Sequence, residues 1–199
     1  MLNFEQKLEN KYKIIAGFDE AGRGCCAGPL VIACVVFPKN YRNDNINDSK
    51  KISAKQRIIA FDQIISDCIE YHIEILSPKQ VDEFNPKQAS RIGMKNCLNK
   101  LKCQPDLLIT DFEKIETLKY EQINLIKGDQ KAITVAAASI LAKVTRDNIM
   151  IELSKKYKNF DFAKHKGYCT KQHQEEMRIF GITNEHRKSY KNVQKILKI

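Results

Sequence analysis

Four acidic residues stand where they could act together, and carboxylates in company do chemistry that a lone one does not. Asp19 and Glu20 sit side by side at the end of the apolar run in "KIIAGFDEAGRGCCAGPL" (13–30), and a Gly-Arg-Gly turn follows at once. Adjacent like charges repel unless a cation or a proton offsets them. Asp111 closes the run "PDLLITD", and Asp129 follows "EQINLIK". Each acid therefore falls at or just past the carboxyl end of a predicted strand, the edge at which open α/β sheets build their sites. If those strands are neighbours, four carboxylates converge on one point and need hard cations to hold them there. Oxygen-only ligation selects Mg²⁺ or Mn²⁺ rather than zinc. Taken singly, Asp111 or Asp129 reads as a helix cap or a solvated loop acid, so the joint arrangement carries the inference. Asp44, Asp48, Asp62 and Asp67 read as surface or helix-end acids, and Asp147, one turn past Lys143, as exposed or ion-paired.

The elements that would position these acids follow from hydrophobic spacing. Residues 14–18 and 29–37 are apolar runs that predict two buried strands, joined through the Gly-rich turn as a hairpin. Ser53 is placed to cap a helix through "AKQRIIAFDQIISDCIEY", and "HIEILS" alternates like an edge strand. Helices are predicted over 77–85 and 86–102, the second with Pro86 in its first turn. The strands "PDLLITD" and "EQINLIK" come next, then the longest helical pattern, "AITVAAASILAKVTRDNIMIELSKKY", whose small residues permit close packing. A hairpin followed by alternating strands and helices indicates mixed α/β.

The 199 residues are enough for one sizeable core, and a single domain over 1–199 is expected. Thirty-four Lys and Arg against 24 Asp and Glu leave a net charge of +10, spread along the chain, which favours a polyanionic partner. A coding bias toward Lys, Asn and Ile accounts for a share of that excess. Seven cysteines, with no paired CxxC units of zinc-finger spacing, fit a reduced cytoplasm and packing as small apolar groups. "MLNFEQKLENKYK" lacks the apolar core of a signal peptide, and no run approaches a membrane span, so a soluble, cytoplasmic protein with no membrane partner is expected.

Several motifs in order resemble those of the type 2 ribonucleases H, the ribonuclease HII family. "GFDEAGRG" (17–24) is similar to that family's signature, "AGP" continues it, and "NDSKKIS" matches the motif soon after. "KGDQKAITVAAASILAKVTRD" (127–147), "HKGYCT" and "HRKSY" match later blocks, so the likeness runs over about 13–190. "GRG" and the short N-terminus favour type 2 over the type 3 enzymes. The resemblance implies an RNase H-like mixed β-sheet flanked by helices, with a helical C-terminal part. It implies that Asp19, Glu20, Asp111 and Asp129 are the catalytic, metal-binding acids, with Asp19 bridging two divalent ions, Mg²⁺ or Mn²⁺. Gly22, Arg23 and Gly24 match the loop that contacts the ribonucleotide, and Tyr168 the tyrosine that packs on the sugar at an RNA–DNA junction. Lys50, Lys143, Arg146 and Lys166 are candidates for phosphate contacts, against the alternative of plain surface charge, while His165 and His186 are read as packed side chains.

The activity implied is that of an endoribonuclease cutting the RNA strand of RNA–DNA hybrids and the 5′ side of single ribonucleotides in duplex DNA, leaving 5′-phosphate and 3′-hydroxyl. Its setting would be DNA replication and repair. The partners implied are those hybrids and ribonucleotide-containing duplexes. A monomer is expected because one chain supplies every acid. A sliding clamp is left open as a partner that the sequence does not support, and the C-terminal "NVQKILKI" is read as a frayed helix in preference to a docking peptide. A non-catalytic hybrid-binding protein of the same fold is the alternative, yet convergent acids would repel its ligand. A nucleotide-binding protein is weaker, since "GRG" precedes a strand rather than a helix N-terminus. Departures from the family pattern fall at Cys25, Cys26, Cys169, at Phe112 where glycine is common, and at "NPKQAS" (85–90).

Overall fold

The computed structural model of the chain describes residues 4–8, 10–49, 51–117 and 119–197. The apolar run of residues 15–18 forms the start of β1 (Ile15–Ala21), which pairs antiparallel with β2 (Leu30–Val36), an unbroken buried run. Helix α1 (Ala54–Asp67) opens on Ser53, whose hydroxyl accepts from Gln56 N while the Gln56 side chain returns to Ser53 N. Strand β3 (Glu70–Leu76) pairs antiparallel with β2 and forms an edge, as its alternation predicts. The helical pattern extends to residue 71, but the helix ends at Asp67: Ile69 N donates to Val36 O at 2.8 Å, and the next residues join β3. Cross-strand bonding overrides local periodicity there.

Helix α2 (Pro78–Lys100) breaks at Asn85, which has φ 62°. The Asn85 side chain accepts from Lys87 N and Gln88 N and caps a second segment starting at Pro86, so the two helices predicted over 77–102 meet at this kink. Strand β4 (Leu107–Asp111) runs parallel to β1, and β5 (Glu121–Leu125) parallel to β4. A single 3₁₀ turn (Gly128–Gln130) precedes α3 (Ile133–Lys156). The sheet order is β3-β2-β1-β4-β5. The short α4 (Phe162–His165), α5 (Lys171–Phe180) and α6 (Lys191–Leu197) complete the described residues.

Strand alternation sorts the core onto two faces. Ala16, Phe18, Leu30, Ile32 and Cys34 pack toward α2, while Val31, Ala33 and Val35 pack toward α1 and the alanine-rich face of α3. A further cluster joins Cys26, Ala27 and Met150 to Phe160, Phe162, Met177 and Val193 of the helical C-terminal part. Val193 places α6 in that cluster. All seven cysteines are free thiols, four of them buried. Among the described residues no helix is long and apolar enough to cross a membrane.

Helix and sheet approach closely at Gly17, where a Cβ would collide with the backbone and side chain of Thr134 in the first turn of α3. That turn is also held by the buried Glu5, whose Oε1 accepts from Thr134 N at 2.9 Å and from Thr134 Oγ1 at 2.8 Å. A carboxylate there also complements the positive end of the helix. Gly17→Ala should force β1 and α3 apart and destabilise the fold by about 1–3 kcal/mol. That corresponds to a fall in melting temperature of about 2–4 °C per kcal/mol for a domain of this size. An unchanged thermal midpoint would show that the strand and helix do not meet at this position.

Candidate active site

The parallel register of β1 on β4 sets the geometry. Phe18 is level with Thr110, so the next residues along, Asp19 and Asp111, leave the sheet at the same height. Alternation turns both toward the face covered by α3 and turns Glu20 to the opposite face. Asp111 Oδ1 accepts from Gly128 N at 2.7 Å, which ties the end of β4 to the 3₁₀ turn carrying the buried Asp129. Asp129 thus reaches this edge from the turn before α3 rather than from the end of β5. Asp19 is 6% exposed; its Oδ1 accepts from Glu20 N at 2.7 Å, and Ser139 of α3 bonds to its side chain. Ser139 in turn meets Ser49 at 3.0 Å.

Burial, then the charges of Glu20 and Asp111, hold the Asp19 carboxyl well above the ordinary carboxylate range. Burial likewise pushes Glu20 up to about 7, opposed by Arg23 and reinforced by Asp111 and Glu113. Among the described residues, Glu20 Oε2 is a buried atom that receives no hydrogen bond. An orphaned carboxylate oxygen beside two further acids is a donor set suited to a hard divalent cation. The side chains do not stand in closed ligating geometry: no group of three or more His, Cys, Asp or Glu among the described residues already encloses an ion. The chemistry of the donors fits the metal, and binding would have to draw them together.

Arg23 lies between two acids, 3.6 Å from Glu20 and 2.7 Å from Glu113. Glu113 is buried and also accepts from Arg91 Nε at 3.1 Å. Gly22 has φ +94°, and a Cβ there would strike the Arg146 guanidinium; around Gly24 nothing lies within 4 Å of such an atom. The need for glycine at 22 is therefore internal packing, while the space at 24 opens outward.

The basic candidates divide. Arg146 is not available to a phosphate: it is 1% exposed and donates to Pro29 O at 2.9 Å, Lys166 O at 2.8 Å and Ala27 O at 3.0 Å. Three carbonyls solvate its charge, so it fastens loops to α3. Lys143 pairs with Asp147 at 2.8 Å and lies 6.0 Å from the centre of the Tyr168 ring. Lys166 adopts φ 51° and its Nζ is 3.5 Å from Asp147 O. Tyr168 is 46% exposed, with its hydroxyl beside the Cys25 thiol. Lys50 lies outside the described residues. Phe112 takes the left-handed conformation that glycine would favour, φ 63°, and its ring points to solvent.

Sequence reasoning missed four residues here. Ser139 bonds to Asp19 and is met by Ser49, Glu113 holds Arg23, and the buried Arg187 donates to Gly28 O and to Arg23 O at 3.1 Å. Asp48, read as a surface acid, is buried and accepts from Gln130 Nε2 at 3.0 Å. Ser49 and Arg187 lie inside the motifs "NDSKKIS" and "HRKSY", where a signal existed. Ser139 likewise lies inside the block 127–147, whereas Glu113 falls in none of these motifs.

A family model described as Ribonuclease HII matches residues 16–193. The chain is 49% identical over 193 residues to the ribonuclease HII of Mycoplasma mycoides subsp. mycoides, covering 96% of this chain and 93% of that protein. Its fold is similar to the crystal structure of the Pyrococcus horikoshii ribonuclease H2, with a TM-score of 0.80 at 29% identity over 93% of this chain and 97% of that one. It is also similar to the ribonuclease HII of Archaeoglobus fulgidus, solved as a complex with PCNA, with a TM-score of 0.75 at 26% identity over 89% of this chain and 95% of that one. On a match from the start of β1 to α6, the chain belongs to the ribonuclease HII family.

Proposed function

We propose that this chain is an endoribonuclease that hydrolyses the RNA strand of RNA–DNA hybrids and incises duplex DNA on the 5′ side of a single embedded ribonucleotide. The observation that carries the reading is the cluster of the buried Asp19 with the half-buried Glu20 and Asp111, with one carboxylate oxygen unsatisfied, directly before a loop bearing an arginine whose side chain is one-third exposed. Asp19, Glu20, Asp111 and Asp129 would hold two divalent ions. Such ions supply an activated water and stabilise the charge building on phosphorus and on the departing 3′-oxygen. The products are a 5′-phosphate and a 3′-hydroxyl.

The remaining work falls to the chain's own groups. Arg23 is held by Glu20 and Glu113 with its side chain one-third exposed, which leaves its fork able to grip the phosphate beside the ribose. The backbone at Gly24 has open space before it, where a 2′-hydroxyl can both donate and accept. The Tyr168 ring offers a flat face that fits deoxyribose and crowds a ribose, so it suits the RNA-to-DNA step. Lys143 lies beside that ring and Lys166 reaches toward Asp147, the partner of Lys143, so both are offered as phosphate contacts, and the net charge of +10 favours a polyanion throughout. The Archaeoglobus relative binds PCNA; in this chain α6 is engaged in packing through Val193, and we assign it no clamp-docking role.

Replacing Asp19 by Asn should abolish cleavage of labelled duplex DNA carrying one ribonucleotide, with an all-DNA duplex as control. The same change removes a carboxyl whose ionisation burial and the neighbouring acids oppose, so the metal-free variant should melt higher than the parent by about 2–4 °C per kcal/mol relieved. Retained Mg²⁺-dependent cutting would overturn the assignment of Asp19.

Proton competition gives a second test. Glu20 titrates near 7 in the folded chain against an ordinary 4.5, so the folded state binds the extra proton between those values. The stabilisation of the metal-free protein from this group is complete below 4.5 and lost as pH rises through 7. A divalent ion must displace that proton, and the Mg²⁺ concentration for half-maximal cleavage should rise about tenfold per pH unit below 7. Activation independent of pH from 6 to 8 would exclude Glu20 as a ligand.

A further inference from the structure

The carbonyls of Lys166, Gly167 and Tyr168 each meet donors from elsewhere in the fold, and Tyr168 O also accepts from Thr170 N at 2.8 Å. Lys166 O accepts from Arg146 Nη1 at 2.8 Å, and Gly167 O from Cys26 N at 3.0 Å and Ala27 N at 3.3 Å. Tyr168 O faces His173 Nδ1 at 2.9 Å. From there the contacts continue: His173 Nε2 lies 3.0 Å from His186 Nε2, and His186 Nδ1 lies 2.9 Å from Thr183 N.

Both ends of this chain have one possible polarity, since a backbone N–H can only donate and a carbonyl can only accept. Thr183 N–H therefore requires a bare Nδ1 on His186, which puts the His186 proton on Nε2. That proton needs a bare Nε2 on His173, so the His173 proton sits on Nδ1 and is donated to Tyr168 O. A second proton on His173 would set two N–H groups against each other across 3.0 Å; one on His186 would oppose Thr183 N–H.

The surroundings agree with two neutral rings. His173 is 0% and His186 2% exposed. The His165 ring stacks on His173 at 4.1 Å, accepts from Gly167 N through Nδ1 at 3.2 Å and meets Glu176 through Nε2 at 3.0 Å. Phe160 and Phe162 pack against both rings, and the Cys26 thiol lies 3.5 Å from His173 Nδ1. Burial, the largest influence on each, pushes both histidines down to about 4.

We propose that His186 and His173 form a one-directional hydrogen-bond relay from Thr183 to Tyr168 O, and are positioning residues for discrimination at Tyr168. A ring that must report a single hydroxyl needs its backbone fixed while its face stays open, and Tyr168 has this combination. The far end of the relay belongs to the segment that also holds the ribonucleotide loop: Arg187 N donates to Cys26 O at 2.8 Å, and the Arg187 guanidinium to Arg23 O. One segment, 183–187, thereby registers Tyr168 against Arg23. The discriminating role rests on the reading of Tyr168 given above; the relay itself does not.

Two measurements test it. Imidazole ¹⁵N spectra of the unmodified protein at pH 7 should show His173 as the Nδ1–H tautomer and His186 as the Nε2–H tautomer, both neutral; either opposite tautomer, or a charged ring, overturns the relay. The second is the ratio of kcat/KM for a duplex with one ribonucleotide to that for a continuous hybrid, in His173→Leu, His173→Asn and Tyr168→Ala. His173→Leu should lower the ratio about five- to tenfold, toward Tyr168→Ala, and His173→Asn, which keeps a donor near Nδ1, should recover it. A folded His173→Leu protein with an unchanged ratio, while Tyr168→Ala changes it, overturns the positioning role. An unchanged ratio in Tyr168→Ala overturns the reading of Tyr168 and the discriminating role with it, and the spectra then decide the relay alone.

Discussion

Everything at this site depends on the parallel pairing of β1 with β4 in one register. A shift by a single residue would turn Asp19 and Asp111 to different faces of the sheet, because side chains alternate with a period of two. The register holds because both strands are buried: β1 lies between β2 and β4 with Ala16 and Phe18 sealed under α2, and Gly17 lets α3 close on the other side. Ser139 reaches Asp19 from α3 for the same reason. The helix approaches the strand closely at Gly17 and packs through alanines at 136–138, so its later residues arrive above the carboxylates.

That scaffold holds charge in an unfavourable state. Asp19 and Glu20 are buried among other acids and are driven to take up protons when no cation is present. Their adjacency tells even though the strand turns them to opposite faces: after burial, the charge of Glu20 is the largest influence raising Asp19. Glu20 gains partial compensation from Arg23, and Glu113, the buried acid between Arg23 and Arg91, spreads that compensation over two guanidiniums. The proposed ligands are stable as anions only with a partner that the fold itself does not fully provide.

The complementary device is a pair of buried cations. Arg146 and Arg187 carry their charges under the Gly22–Gly28 loop and make their hydrogen bonds chiefly to backbone carbonyls of residues 23, 27, 28, 29 and 166. Arg187 also donates to the Tyr190 hydroxyl, which itself bonds Arg23 O. Carbonyl dipoles satisfy these donors without cancelling the charge, so the loop is pinned while a positive potential remains beneath it. The histidine relay under Tyr168 works on the same principle, fixing backbone by side-chain donors and leaving the exposed face of the site unencumbered.

Sequence alone determined the pieces with a local cause. Apolar runs marked β1, β2 and β4; Ser53 marked a helix start; Asn85–Pro86 marked the break in α2; and the motif order marked the family. Those signals are carried by neighbours in the chain, through spacing, capping and turn chemistry. Tertiary structure decided what depended on distant residues. Arg146, a candidate phosphate contact in "KVTRD", is instead sealed against three carbonyls. Asp48 left the surface to meet Gln130, Glu5 crossed from the N-terminus to the first turn of α3, and Glu113 found Arg23. His186, read as a packed side chain, joins His173, which local sequence did not single out, in one directed relay. Burial and partner choice are set by which elements pack together, and no window of local sequence contains that information.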